Sequence, residues 1–304
     1  MKPRVLVTGI SGFIGKAFTD WVKDELDIFA IDRIKPHDWP ADQFLEVDIA
    51  SPSADGTIAT ALHGQHFAAA VHFAAITPHS AGDDPLDFYQ VNTLGTRQFL
   101  KGLSGLVEKA AVISTVDVYG APDEAIITEN TRREPENDYA VSKLSAELAA
   151  RAWSAVSHTP AAVIRLGQVY GPGDPSQKAI PSFCRAVTRN QPIIIRGTGQ
   201  DERQPIHIQD ILSGILAWIQ QKDTPAFGQY LLVGSERVSI RSIAETVAAL
   251  DNNYSAGIRF ESAVKPEIRQ QFDNSLTRAA LNWQPRIPLA EGLKETLMSM
   301  KHGE

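Results

Sequence analysis

Short apolar runs alternate with amphipathic stretches along the first half of the chain. RVLVT (4–8), DIFAID (27–32), AAAVHFA (68–74), KAAVIS (109–114) and AAVIRL (161–166) are apolar at consecutive positions. Continuous rather than alternating hydrophobicity is what parallel strands covered on both faces require. Between them, FIGKAFTDWVKDEL (13–26) and LDFYQVNTLGTRQFLKGL (86–103) repeat apolar residues at helical spacing. Strand, helix, strand in this order predicts an α/β fold with a doubly wound parallel sheet.

Past residue 168 the rhythm changes. VYGPGDPSQKAIP (169–181) and RGTGQDERQP (196–205) are rich in Gly and Pro and read as loops. DILSGILAWIQQ (210–221) predicts a helix and GQYLLVG (228–234) another strand of the sheet. The tail, from SIRSIAETVAAL (239–250) to LNWQPRIPLAEGLKETLMSM (281–300), predicts short helices and turns. The expected organisation is a main domain from residues 1–168 and 206–233. A smaller C-terminal substrate lobe, residues 169–205 and 234–304, interleaves with it. No repeat, low-complexity segment or linker is visible.

Composition bounds what such a fold can do. The 304 residues, 43% hydrophobic and 21% charged, suffice for one large domain or two modest ones. With 36 acids against 29 bases the net charge is −7, which argues against nucleic acid or an anionic membrane as partner. The apolar runs are too short to span a bilayer, and MKPRVLVTG breaks into glycine too soon for a signal peptide. Cys184 stands alone, which excludes an internal disulfide framework and a multi-cysteine metal site; no metal site is expected. The expectation is a cytoplasmic protein of enzyme size.

Thr8, Gly9, Gly12 and Gly15 form TGxxGxxG after the first predicted strand and at the start of a helix. Gly9 permits a tight turn, Gly12 lets the backbone approach a pyrophosphate, and Gly15 allows close helix–strand packing. The helix N-terminus then offers free N–H donors and a positive partial charge. Asp32 ends the second strand, where a carboxylate accepts hydrogen bonds from an adenosine ribose and repels a 2′-phosphate. NAD is therefore favoured over NADP, tempered by Arg33, which could pair with such a phosphate. Asp48 and Ile49 follow a third short strand, where an adenine ring would lie. His72 alone reads as a hydrogen-bonded core histidine. Asn92, inside an apolar helix, needs a partner or a role.

YAVSK carries Tyr139 and Lys143 at i and i+4, one face of a helix, so the ammonium can sit near the phenol. A nearby cation favours the phenolate and is expected to move the tyrosine pKa down. Such a tyrosine takes a proton from an alcohol as hydride leaves its carbon, and returns it in reverse. Upstream, a predicted strand ends in Ser114 and Thr115. A strand-end hydroxyl faces the crevice where open α/β sheets bind ligands.

TGxxGxxG, Asp32, Asp48-Ile49, HFAA, VNTLGT, STVDVYG, YAVSK and RLGQVYGP stand in the order seen in the extended short-chain dehydrogenase/reductases. The chain most resembles their NAD-dependent epimerase/dehydratase branch, which acts mainly on nucleotide sugars. The likeness runs from residue 4 to about 172 and resumes in GTGQDERQPIHIQDI and LNWQP…LAEGL. It implies a Rossmann-type sheet with NAD on the glycine loop. It implies Thr115, Tyr139 and Lys143 as catalytic residues, with Tyr139 as acid/base. Lys143 would also hold the nicotinamide ribose. Gly9, Gly12, Phe13, Ile14, Gly15, Asp32, Arg33, Asp48, Ile49, Ala74, Ala75, Asn92 and Ser114 would line the cofactor site. It also implies a homodimer, through LDFYQVNTLGTRQFL and the helix of Tyr139, with Leu144, Leu148, Ala152 and Val156 available for burial.

Departures shape the substrate expectation. Arg203 in GTGQDERQ would grip a nucleotide diphosphate. Gln168 stands where the family usually has asparagine, and Pro205 where an aromatic residue often follows. Lys265 and Arg269 both qualify as a further basic contact. Dehydratases of this branch carry Thr-Asp-Glu where this chain has Thr115, Val116 and Asp117, so the acid for a leaving hydroxyl is missing. The resemblance thus implies a nucleotide-sugar 4-epimerase. The alternative is an NAD(P)-dependent reductase or dehydrogenase of a 4-keto nucleotide sugar or a smaller sugar or alcohol. A non-catalytic cofactor-sensing or scaffolding protein would not need Tyr139 and Lys143.

Overall fold

The computed structural model describes residues 2–78, 84–122, 124–263 and 270–302. Seven strands form its central parallel sheet: β1 (Arg4–Thr8), β2 (Asp27–Asp32), β3 (Phe44–Glu46), β4 (Ala69–His72), β5 (Ala110–Thr115), β6 (Ala161–Leu166) and β7 (Phe227–Leu232). Their spatial order is 7-6-5-4-1-2-3. Val5 on β1 stands beside Ile28 on one side and Ala69 on the other. The winding direction therefore reverses next to β1, and such a switch point opens a crevice at the carboxyl ends of the strands. Every residue of β5 and β6 is buried, as their apolar runs predict, and the burial extends to the polar Ser114, Thr115 and Arg165.

Helix α1 (Phe13–Val22) stops earlier than the periodicity suggests. The amides of Glu25 and Leu26 both close back on the carbonyl of Val22, which buries Leu26 and turns the chain into β2 at Asp27. Helix α2 (Ala54–Ala61) follows, and then a helical stretch that begins at Leu86. Its middle, Tyr89–Gly95, is π-helical and leads into α3 (Thr96–Gly102). Helix α4 spans Asp138–Ser157, capped at its start by Asn137, whose side chain accepts from the Ala140 amide. Leu6, Ile31, Ala70, Val112 and Val163 of the sheet pack with Ile58 of α2, Phe99 and Leu100 of α3, and Ala146 and Ala150 of α4. Burying each large apolar side chain contributes about 1.5–3 kcal/mol.

The chain divides into two compact units, residues 1–122, 131–166 and 215–231, and residues 123–130, 167–214 and 232–304. In the second, α5 (Ala179–Thr188), α7 (Ile240–Ala249) and α9 (Leu289–His302) enclose an apolar core around Phe183, Ile243 and Leu293; α8 (Ser275–Leu281) belongs to the same unit, and α6 (Ile208–Gln220) is divided between the two after Gly214. Cys184 lies in that core at 0% exposure, and burial pushes its thiol up to about 12. His207 is also buried there, its ring edge-on to Tyr170 at 5.3 Å, and desolvation pushes it down to about 4. Glu295 Oε2 lies 3.6 Å from its Nε2. Two short pairings knit distant segments: Ile193–Arg196 with Ile258–Glu261, and Ile126–Ile127 with Gln271–Phe272. No helix among the described residues is long and apolar enough to cross a membrane.

Candidate active site

The glycine loop joins β1 to α1 in the first unit. Gly9 has φ +74°, and a Cβ there would stand 2.5 Å from the Ala74 amide nitrogen. A Cβ on Gly15 would stand 2.2 Å from the Gly9 carbonyl oxygen. Gly12 is the N-cap of α1 and supplies no capping side chain, leaving the first-turn amides for a ligand. The loop borders a cleft of about 590 Å³, open mouth included. Gly9, Gly12, Asp32, Arg33, Asp48, Ile49, Ala74 and Ala75 line it together with Ser11, Ile76 and Val91, which the sequence pattern did not single out. Asp32 Oδ2 accepts from the Ser11 amide and hydroxyl, both at 2.9 Å, and Oδ1 from the Arg33 amide at 2.7 Å. A carboxylate has about four acceptor sites, so Asp32 retains capacity for a sugar hydroxyl. Asp48 is exposed and accepts from the Ala50 amide at 3.0 Å. A cradle that side chains would fill, an uncapped helix start and an acid at the end of β2 together fit a dinucleotide.

Phe13 and Ile14 begin α1. Asn92 sits in the π-helical turn at 0% exposure. Its Oδ1 accepts from the Ile76 amide at 2.9 Å, and its Nδ2 donates to the Ile76 carbonyl and to Ser142 Oγ, each at 3.0 Å. It therefore ties a cleft-lining residue to α4 rather than lining the cleft itself. His72 is the core histidine expected. It bridges Thr8 Oγ1 at 2.7 Å and Thr96 Oγ1 at 3.0 Å, and burial, aided by the Lys143 charge, holds it down at about 3.

Thr115 ends β5; its Oγ1 accepts from the Asp117 amide at 3.2 Å, and its side chain lies near enough to the Tyr139 phenol to act on its ionisation. Tyr139 is half-buried on the first turn of α4, its ring edge-on to Phe88 at 5.8 Å. Desolvation raises its phenol above the ordinary tyrosine value, the Asp117 carboxylate adds to this, and the Thr115 side chain opposes it. The direction is opposite to the one expected from an ammonium neighbour: burial and the Asp117 carboxylate dominate, and Lys143 is not among the groups that act on the phenol. Lys143, 3% exposed, is pushed down to about 8 by burial, with Glu147 pulling it back up. Ser114 turns inward, where its hydroxyl donates to Glu147 Oε1 at 2.6 Å. The third residue of the i+4 series, Glu147, was legible in YAVSKLSAE but not singled out.

Two substrate candidates fall in the second unit. Gln168 is exposed, and its carbonyl accepts from the Ile206 amide at 3.0 Å. Arg203 Nη1 donates to the Glu202 carbonyl at 2.8 Å, and Nη2 lies 3.6 Å from Asp201 Oδ2. Lys265 and Arg269 lie outside the described residues.

Residues 5–234 match the NAD dependent epimerase/dehydratase family. The dTDP-D-glucose 4,6-dehydratase of Bos taurus is 25% identical over 316 residues, covering 97% of this chain and 87% of that protein. Among solved structures, the UDP-glucuronic acid 4-epimerase of Bacillus cereus, in complex with UDP-glucuronic acid and NAD, is 25% identical with a TM-score of 0.85 over 99% of this chain and 100% of that one. RMD of Pseudomonas aeruginosa, complexed with NADPH, is 25% identical with a TM-score of 0.83, covering all of both chains at 100%. Motif order, sheet topology and these likenesses agree: the chain belongs to the NAD dependent epimerase/dehydratase family and is an NAD-dependent enzyme of the extended short-chain dehydrogenase/reductase type.

Proposed function

We propose that the protein is a nucleotide-sugar 4-epimerase, with the first unit binding NAD and the second the substrate. The observation that carries the reading is the placement of Tyr139 and Lys143 one helical turn apart on α4, with the Thr115 side chain near enough to the phenol to favour its ionisation, in the unit that bears the glycine cradle. Gly9, Gly12, Phe13 and Ile14 would hold the pyrophosphate, Asp32 the adenosine ribose, and Lys143 the nicotinamide ribose. Bound NAD supplies a hydride acceptor and donor, and a positive ring whose field favours a phenolate. Tyr139 Oη takes the proton of the sugar hydroxyl and later returns it, while Thr115 Oγ1 holds the reacting oxygen beside it. With NAD and substrate bound, the Lys143 ammonium on the same helix face would help offset the desolvation that keeps the phenol protonated. With the cofactor supplying hydride acceptance and return, a ketone free to present its other face before Tyr139 gives back the proton would leave epimerised, with no net redox. Val116 has no proton to give to a leaving hydroxyl, which argues against dehydration. Arg203 and Gln168 are the proposed contacts to the nucleotide diphosphate and sugar.

Tyr139→Phe is expected to lower turnover at least about 10²-fold with NAD affinity unchanged. Unchanged turnover on a substrate found by screening nucleotide sugars for thermal stabilisation overturns the mechanism. A second reading, reduction of a 4-keto nucleotide sugar or a smaller sugar, draws support from Arg33, which lines the cleft beside Asp32 and could pair with a 2′-phosphate. A substrate-dependent net change in absorbance at the NADH band selects it; tightly held NAD with no net change selects the epimerase.

The proposal includes a homodimer. Leu148, Ala152 and Val156 form an exposed stripe at i, i+4 and i+8 of α4, with Leu148 at 57% and Val156 at 82% exposure. Beside it runs a groove lined by Leu100, Ala149 and Trp153. Light scattering should give twice the chain mass, and Leu148→Glu with Val156→Glu should give a monomer.

A further inference from the structure

Glu147 follows Lys143 by one helical turn, as Lys143 follows Tyr139, so all three share one face of α4. That face packs against β5 and β6. Glu147 is 4% exposed, and Arg165, inside β6, is 0% exposed. Arg165 Nε donates to Glu147 Oε1 at 2.9 Å and Nη2 to Oε2 at 2.7 Å, a two-point clamp that fixes the plane of the carboxylate. Two further donors are engaged as well, Nη1 on Tyr119 Oη and Nη2 on Gln229 Oε1, both at 2.9 Å. Gln229 Oε1 also accepts from Arg133 Nη1 at 2.9 Å. From β5, Ser114 donates to Glu147 Oε1 at 2.6 Å.

An apolar pair of similar volume would pack here at least as well, because two charges lose their hydration on burial. Stability alone therefore does not account for a clamped carboxylate at this place. The neighbouring ammonium does. The titratable groups that act on or are acted on by Lys143 are His72 on β4, held neutral, and Glu147 on its own helix; Asp117, beyond β5, acts on Tyr139. Glu147 is the carboxylate that opposes the desolvation of Lys143.

We infer that Glu147 is a positioning residue: its carboxylate, locked by Arg165 and Ser114, keeps Lys143 an ammonium one turn from Tyr139 and ties that helix face to the strand ending in Thr115. The inference rests on the role proposed above for Lys143. Ser114 then serves the site from behind, through Glu147, rather than by touching a cofactor.

The test follows the titration of Lys143 itself in the full chain, by ¹³Cε NMR of labelled lysine, with the signal assigned by its loss in Lys143→Met. Two variants carry it. Glu147→Gln with Arg165→Met removes both charges at similar volume; the Lys143 midpoint should fall from near 8 by about one unit or more, which cuts the charged fraction at pH 8 from about one-half to about one-tenth. Arg165→Met alone leaves the carboxylate without its competing cation, and the midpoint should hold or rise. A merely structural brace would move both variants in the same direction, and an unchanged midpoint in the double variant overturns the inference. The double variant decides by itself, since loosened packing would hydrate Lys143 and raise its midpoint rather than lower it; should it fail to fold, a fall of the midpoint in Arg165→Met alone overturns the inference. Cofactor does not enter this readout. Absence of NAD binding in the parent protein would therefore defeat the proposed function while the Lys143 titration still stood or fell independently.

Discussion

At the scale of single residues, the glycine loop separates packing from ligand approach. A methyl on Gly15 would collide with the Gly9 carbonyl at 2.2 Å, whereas one on Gly12 meets that same oxygen at 3.3 Å. Gly15→Ala should therefore cost roughly 1–3 kcal/mol in urea unfolding. Gly12→Ala should be close to neutral in stability yet weaken NAD at least about tenfold by calorimetry, since its methyl would intrude only where a pyrophosphate approaches. Equal destabilisation by the two would refute this division of labour. Both glycines were legible from spacing, and so were Tyr139 and Lys143, because a helix repeats in a way that a reader can count. Arg165 was not. In AAVIRL it looks like a flaw in a strand, and only the fold brings Glu147, Tyr119 and Gln229 to its guanidinium. Ser11 escaped notice for a related reason: its hydroxyl matters through Asp32, on another strand.

At the scale of elements, the stretch from Leu86 to Gly102 shows what periodicity can and cannot tell. The apolar spacing gave a helix, which is present, but not its π-helical middle. That widened turn carries Asn92, whose amide makes three hydrogen bonds, two of them to the backbone of Ile76. The sequence signalled a polar residue in need of a partner; the partners lie on a loop and on α4, out of reach of local inspection. Asn92→Ala removes all three bonds and leaves the amide and carbonyl of Ile76 unmet, which should cost roughly 2–3 kcal/mol by chemical denaturation. Because Ile76 lines the cleft, NAD affinity should fall with it. Retained stability would mean that water replaces the amide fully.

For the molecule as a whole, the acid side of the stability curve is set by two interior imidazoles, His72 in the first unit and His207 in the second. Burial lowers them to about 3 and about 4 from an ordinary 6.5. The unfolded chain thus binds more protons than the native one below pH ~6.5, so stability is full above that pH and is lost as pH falls toward 4. Each should remove about 2 kcal/mol between pH 7.5 and 5. Urea titrations at the two pH values measure the sum, and His207→Gln should remove its share; a flat profile would contradict both burials. The doubly wound parallel sheet followed from the alternation of elements, but its strand order and the membership of residues 123–130 in the second unit did not. A two-residue strand at Ile126–Ile127 has no periodicity to detect, and its partner Gln271–Phe272 comes late in the chain.

The single thiol, enclosed by Phe183, Ile243 and Leu293 of the second unit, gives the protein a built-in clock. A thiol that is both inaccessible and hard to ionise reacts with alkylating reagents only when its surroundings open. The labelling rate of Cys184 therefore reports how often that core breathes. Adding a dinucleotide that engages only the glycine cradle would slow the labelling if the two units melt together and leave it untouched if they melt apart. One natural cysteine thus measures the cooperativity of the whole chain without any engineered label.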